Sequence, residues 1–282
     1  MAESGLSETL TQYLKRQERT YRPLPKGSDI FIVSYPKSGT SWVQMILYQL
    51  KTDGAMKIDH IGQKIPHLEE TLFRSRTELN NLTPPWILKT HLPYSRIPRV
   101  RAKYIYVMRN GLDVAVSYYH HYERCIPNPP RSFSEFFKRF LTGDVAYGSW
   151  FTHVADWVEN KNGLDMLLVK YEDMIRDLPG SIATIAAFCD LPFPSGERSR
   201  IIHNCSFEFM QQHDAIFDIS RNRSNKGRFI RRGAVGEWHE YLDEAMLTDY
   251  IREFDRHIHL DKLRPFRPSL GTSAPGSSLR DS

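Results

Sequence analysis

The sequence predicts an α/β protein: a single domain with a central parallel β-sheet flanked by helices. Three observations carry this. Short apolar runs recur along the chain, and each closes on a turn of small or charged residues. Stretches with the apolar density of a buried helix alternate with them, the order that lays strands in parallel with helices on both faces. Finally, 282 residues that are 40% hydrophobic and 12% aromatic suit one sizeable core.

Taken in order, residues 1–20 read as a polar, helix-prone leader that ends before Pro23 and Pro25. The run from Asp29 to Tyr35 is the first strand, and Lys37-Ser38-Gly39 turns it into a helix over Trp42 to Leu50. Residues 53–83 lack a clear period and are expected to form a mobile connection near the mouth of a site. Trp86 to Thr90 and Tyr104 to Met108 are the next two strands. The latter passes through Arg109-Asn110-Gly111 into a helix over Leu112 to Tyr122. Met166 to Val169 is a fourth strand, followed by Tyr171-Glu172-Asp173 and a helix over Ile182 to Phe188. The main domain is expected over 21–265, and the Pro-, Ser- and Gly-rich end, 266–282, as a disordered tail.

Composition excludes several classes. No stretch approaches the roughly 18–20 apolar residues that span a bilayer. The polar, acidic start lacks the order of a signal peptide, so a cytoplasmic protein is expected. Cys125, Cys189 and Cys205 are odd in number and show no CxxC spacing, which fits a reducing compartment and no zinc site. His120-His121 and His257-Ile258-His259 lack the HExxH spacing of a metal helix, so no metal is expected. A net charge of +5 and a pI near 9.0 favour an anionic partner.

In such a sheet, ligands bind at the carboxyl ends of the strands. Lys37, Lys89, Arg109 and Tyr171 all fall there. A strand, a small-residue turn and a helix also present N–H groups to an anion. Pro36-Lys37-Ser38-Gly39-Thr40-Ser41 is nevertheless no nucleoside-triphosphate loop: its lysine precedes the glycine, and no strand ends in a plain magnesium-binding pair.

These residues carry a resemblance. Tyr35 to Trp42 resembles the 5′-phosphosulfate loop of the cytosolic sulfotransferases, a P-loop-like element, and Lys89-Thr90-His91-Leu92-Pro93 resembles their catalytic segment. Arg109-Asn110 with Asp113 to Tyr119 is similar to their 3′-phosphate strand and helix. Tyr147-Gly148-Ser149-Trp150, Tyr171-Glu172-Asp173-Met174 and Arg231-Arg232-Gly233 follow in the family's order, so the resemblance spans residues 28–260.

The resemblance implies 3′-phosphoadenosine 5′-phosphosulfate (PAPS) as donor, 3′-phosphoadenosine 5′-phosphate (PAP) as product, and no metal. It implies a catalytic set of Lys37, Lys89 and His91, with the histidine as general base. Lys37, Ser38, Gly39, Thr40 and Ser41 would hold the 5′-phosphate, and Arg109 and Ser117 the 3′-phosphate. Trp42, Tyr171 and Phe207 would enclose the adenine. Cys205 stands where the family usually has threonine. Arg231, Arg232 and Gly233 would close as a clamp, with arginine at 232 where lysine is usual and Glu237 in place of the family's Asp. The family's dimer motif is absent from 212–230, so a monomer, or a dimer built otherwise, is expected. His67 and His121 stand where phenol-binding members place aromatics, so a polar small-molecule acceptor is expected.

Two rivals remain: a magnesium-dependent phosphotransferase, and a basic nucleotide- or nucleic-acid-binding module without catalysis. The arginine-rich stretch 221–233 permits the second. Lys89 and His91 argue against it, because a pure binder needs no cation and base two residues apart. The reading therefore has no nucleic-acid and no membrane partner.

Overall fold

A computed structural model describes residues 29–71, 82–97, 99–126, 128–160, 163–218 and 227–269. The expected leader, most of the expected tail and the arginines at 221 and 223 lie outside the described residues.

Four strands form one parallel sheet: β1 (Ile30–Ser34), β2 (Ile87–Thr90), β3 (Lys103–Met108) and β4 (Met166–Lys170), in the order β2-β1-β3-β4. Residue alternation splits each central strand between two cores. Phe31, Val33, Tyr104, Tyr106 and Met108 face one, while Ile30, Ile32, Ile105 and Val107 face the other. All these side chains are at most 1% exposed, which is why the runs read as apolar throughout.

Helices cover both faces. On one side lie α1 (Thr40–Lys51) and, much later in the chain, Leu178–Cys189. On the other lie α2 (Gly111–Cys125), α3 (Phe133–Thr142), α4 (Trp150–Glu159) and the late helix Glu244–His257. The segments after the neighbouring strands β1 and β3 thus leave toward opposite faces. That divergence opens a crevice at the strands' carboxyl ends.

The expected strands and the three expected helices form, each helix starting one to four residues earlier in the structure. Three long helices had no counterpart in the reading, although each opens on an N-cap. Ser132 Oγ accepts from Glu135 N–H, Ser149 Oγ from Thr152 N–H, and Asp243 Oδ1 from Met246 N–H. Residues 72–81 of the expected connection over 53–83 lie outside the described residues, and its described part contains two short helices, Ile61–Lys64 and Leu68–Thr71. At the far end the packed chain runs past the expected boundary. Phe266 is 6% exposed, and Arg267 holds Asp255 through two bonds of 2.6 and 2.7 Å.

Candidate active site

The carboxyl ends of the strands open on a cavity of about 1270 Å³. Its floor is the loop after β1. Lys37 and Gly39 take left-handed backbone angles, φ 68° and 104°. Only glycine fits the second position: a Cβ there would lie 2.8 Å from Tyr171 Cδ2. The turn aims the start of α1 at the cavity, with Gly39, Thr40 and Ser41 in the lining. No side chain caps that helix, so the Thr40 and Ser41 N–H groups at its start are available to an anion, while Trp42 N–H donates to the Gly39 carbonyl at 3.0 Å. Ser38 sits behind the lining, 1% exposed, and its hydroxyl has no partner within the protein.

Arg109 extends β3 into the same space. It is 7% exposed, and its guanidinium stacks 4.3 Å from the centre of the Tyr171 ring. One amino group donates to the Ala234 carbonyl at 2.9 Å, while Nε is buried without a partner. A buried orphan donor is costly unless something accepts from it. Ser38 Oγ and Arg109 Nε are therefore each suited to an anion oxygen. Ser117, two turns into α2, lines the cavity beside them. Tyr171 meets Trp42 edge to face at 5.5 Å, and Phe207 packs beneath Gly233. Cys205 is the exception among the expected contacts. Its side chain is fully buried away from the lining, and only its carbonyl contributes, accepting from Trp42 Nε1 at 2.7 Å. A carbonyl in that role makes the side chain at this position immaterial to Trp42.

Lys37 lies 4.6 Å from the centre of the Phe229 ring. Burial pushes its pKa down to about 8; Cys125 partly opposes this, and the charges of Arg109, Arg124 and Lys89 lower it further. Such crowding of cations favours an anionic ligand.

His91 follows β2 and is held at every backbone group. Its N–H donates to Glu69 Oε1 at 3.0 Å, and its carbonyl lies 3.3 Å from His153 Nε2. Tyr106 OH lies 3.0 Å from His153 Nδ1 on the other side. The ring is fixed too: Nδ1 sits 2.9 Å from the Ser34 carbonyl. A carbonyl only accepts, so Nδ1 carries the proton and Nε2 the lone pair. Burial, with the nearby His67 and Lys89 charges, holds the pKa of His91 well below its usual value. The ring is neutral, as a base must be.

The two expected acceptor histidines differ. His67 lies 5.3 Å from His91 ring to ring, with Nε2 3.3 Å from Glu69 Oε2, a polar wall beside the base. His121 stacks on Tyr118 and points Nδ1 at Cys125 Sγ, 3.6 Å away. Burial and the charges of Lys37, Arg124 and Lys89 push its pKa down to about 3, so it lines the cavity as a neutral ring.

The clamp arginines reach the cavity already paired. Both amino groups of Arg231 grip the Glu237 carboxylate, and Arg232 lies 3.3 Å from Glu237 and 2.9 Å from Glu240. A sequence count of charge over 221–233 missed this because both carboxylates lie after that stretch. Glu69, Tyr147 and Phe229 also line the cavity and were not anticipated. Glu69 could have been suspected from its place two residues after His67.

The fold is an α/β sheet whose strand ends gather cations and unpaired donors suited to an anionic ligand. The comparisons name the family. The chain matches the Sulfotransferase domain family over residues 27–264. Mouse sulfotransferase 1B1 is 38% identical over 230 residues, covering 76% of this chain and 77% of the relative. Rabbit amine sulfotransferase is 31% identical over 256 residues, covering 86% and 82%. Mouse sulfotransferase SULT7A1 complexed with PAP superposes with a TM-score of 0.72 at 28% identity, over 90% of this chain and 93% of that one. Retinol dehydratase in complex with retinol and PAP gives 0.74 at 25% identity, over 88% and 86%. The chain belongs to the sulfotransferase family, as an enzyme that moves a sulfuryl group from PAPS to a small-molecule acceptor.

Proposed function

We propose that His91 is the general base of this reaction, that Lys37 and Lys89 are its cations, and that the acceptor is a polar hydroxyl or amine compound. The observation that carries this is the fixed ring of His91, which lines one cavity with both lysines.

When bound, the donor supplies a sulfuryl group activated on a 5′-phosphate. Ser38 Oγ and the hydroxyls and backbone amides of Thr40 and Ser41 hold that phosphate. Arg109 Nε and Ser117 hold the 3′-phosphate, and Arg231 and Arg232 join them once their carboxylates make room. Trp42, Tyr171 and Phe207 enclose the adenine. His91 Nε2 takes the acceptor's proton as the new bond forms, and the Ser34 carbonyl keeps the ring turned for it. Lys37 and Lys89 supply positive charge where negative charge develops. Metal-free transfer rests on these two lysines.

The polar acceptor is supported by the His67–Glu69 pair and by Tyr147 and Thr152 in the lining. Free thiols at Cys125, Cys189 and Cys205 support a reducing, cytoplasmic setting. Among the described residues no helix is long and apolar enough to cross a membrane. A family-type dimer is not part of this reading, and neither is nucleic acid.

The test is incubation with sulfur-labelled PAPS, without added metal, against a panel of phenols, alcohols, polyols and amines. Products are followed by mass spectrometry, with His91→Ala as control. Transfer that disappears in the variant is the expected result. Transfer that persists in it would remove His91 from the mechanism.

A further inference from the structure

Ser34 has served so far only as a backbone acceptor, yet its side chain touches both halves of the site. It closes β1 and is fully buried. Its hydroxyl lies 3.4 Å from His91 Nδ1 and 2.5 Å from Thr40 Oγ1. Thr40 opens α1 and lines the cavity at the phosphate loop.

The directions of donation follow from what each atom holds. Nδ1–H donates, mainly to the Ser34 carbonyl at 2.9 Å and in lesser part toward the hydroxyl. A Ser34 hydroxyl that receives from Nδ1 gives its own proton to Thr40 Oγ1. The Thr40 hydroxyl then has its proton left for the cavity. Hydrogen bonds aligned in one direction polarise each other, by about 10–30% per bond. An anion that accepts from Thr40 therefore strengthens the grip of Ser34 on Nδ1–H and enriches the lone pair on Nε2.

We propose that Ser34 is a positioning residue that couples an anion on the phosphate loop to the His91 imidazole, through the chain Thr40–Ser34–His91. This rests on the assignment of the cavity to the nucleotide. The other groups facing the ring are His67 and Lys89 at the β2 edge, Glu69, Tyr147 and His153. They act on His91 whether or not the loop is filled; Ser34 joins the ring to the loop itself.

The experiment uses full-length chain with nitrogen-15 histidine, as the unmodified protein, Ser34→Ala, Ser34→Thr and Thr40→Val. PAP is titrated into each while the His91 ring signals are followed, assigned by their loss in His91→Gln. In the unmodified chain PAP is expected to shift those signals. In Ser34→Ala, PAP still binds within about threefold and the signals stay put. Its kcat falls about tenfold while the donor KM changes by less than about threefold. Ser34→Thr restores both, and Thr40→Val, which cuts the chain at its other end, also uncouples the signals should Ser34→Ala fail to fold. Equal PAP-induced shifts in the unmodified chain and Ser34→Ala would overturn the proposal, as would a loss confined to donor KM. If the unmodified chain does not bind PAP, the cavity assignment falls and the coupling with it. If it binds PAP and His91 does not respond, the coupling alone falls.

Discussion

Arg109 and Arg231 are both assigned to one phosphate, yet the structure prepares them in opposite ways. Arg109 stands at a strand end, 7% exposed, with a buried donor that nothing in the protein satisfies. Arg231 stands on the later segment with both amino groups committed to Glu237. The backbone on either side of that carboxylate is anchored to α2. Gly236 N–H donates to Asp113 at 2.9 Å, and Asp113 lies in the first turn of α2, 1% exposed. Burial raises the pKa of Glu237, but its bonds to Arg231 and the charges of Arg231, Arg232 and His120 outweigh this and hold it below the usual value. Arg109 keeps one buried donor without a partner, whereas both amino groups of Arg231 are taken by a carboxylate. The lesson is that a shared motif role does not mean a shared electrostatic starting point.

The largest expected effect lies outside the pair and calibrates it. His91→Ala should lower kcat by about 10²–10⁴-fold and leave PAP affinity within about threefold, measured by turnover and calorimetry. The comparison itself is tested next. Arg109→Ala should weaken PAP binding by roughly tenfold to a hundredfold, the scale of lost charge-assisted bonds. Arg231→Ala should cost less, about threefold to tenfold, because its gain is offset by separating it from Glu237. A larger loss at Arg231 than at Arg109 would break the contrast.

Glu237→Gln sharpens it from the other side. With the carboxylate charge removed, PAP should bind a few-fold tighter, and salt should weaken its binding more steeply. Weaker binding would mean that Glu237 orients Arg231 rather than competing for it.

The smallest effect concerns protons. The Lys37 pKa is lowered from 10.5 to about 8, chiefly by burial. Between those values the unfolded state binds more protons at this site than the folded state. The contribution of Lys37 to stability therefore rises with pH across that window, and the penalty is full below about 8. A bound anion raises the pKa again. PAP binding at pH 9 should thus take up a fraction of a proton, read by calorimetry in buffers of different ionisation heat. No uptake would mean that Lys37 is already charged before PAP binds.

Much of this was legible in the chain. The four strands announced themselves because sheets buried on both faces demand unbroken apolar runs, as in Ile30 to Val33. The loop after β1 was legible because a small-residue turn joins a strand to a helix there, and the structure adds why Gly39 stands in it: Tyr171 leaves no room for a Cβ. Helices α3 and α4 were missed although Ser132 and Ser149 marked their starts, since a polar cap is a weaker signal than an apolar run.

By itself, the sequence determined the layers, the order of the motifs and the residues that meet at the strand ends, because local spacing and strand burial are properties of neighbours along the chain. Only the tertiary structure decided which ring nitrogen of His91 is free, why Cys205 contributes a carbonyl and no side chain, and that Glu237 holds the clamp. Each of those rests on contacts between distant residues: 57 positions separate His91 from Ser34, and 163 separate Cys205 from Trp42. Hydrogen-bond direction and charge pairing are set by where atoms meet, and folding alone brings those atoms together.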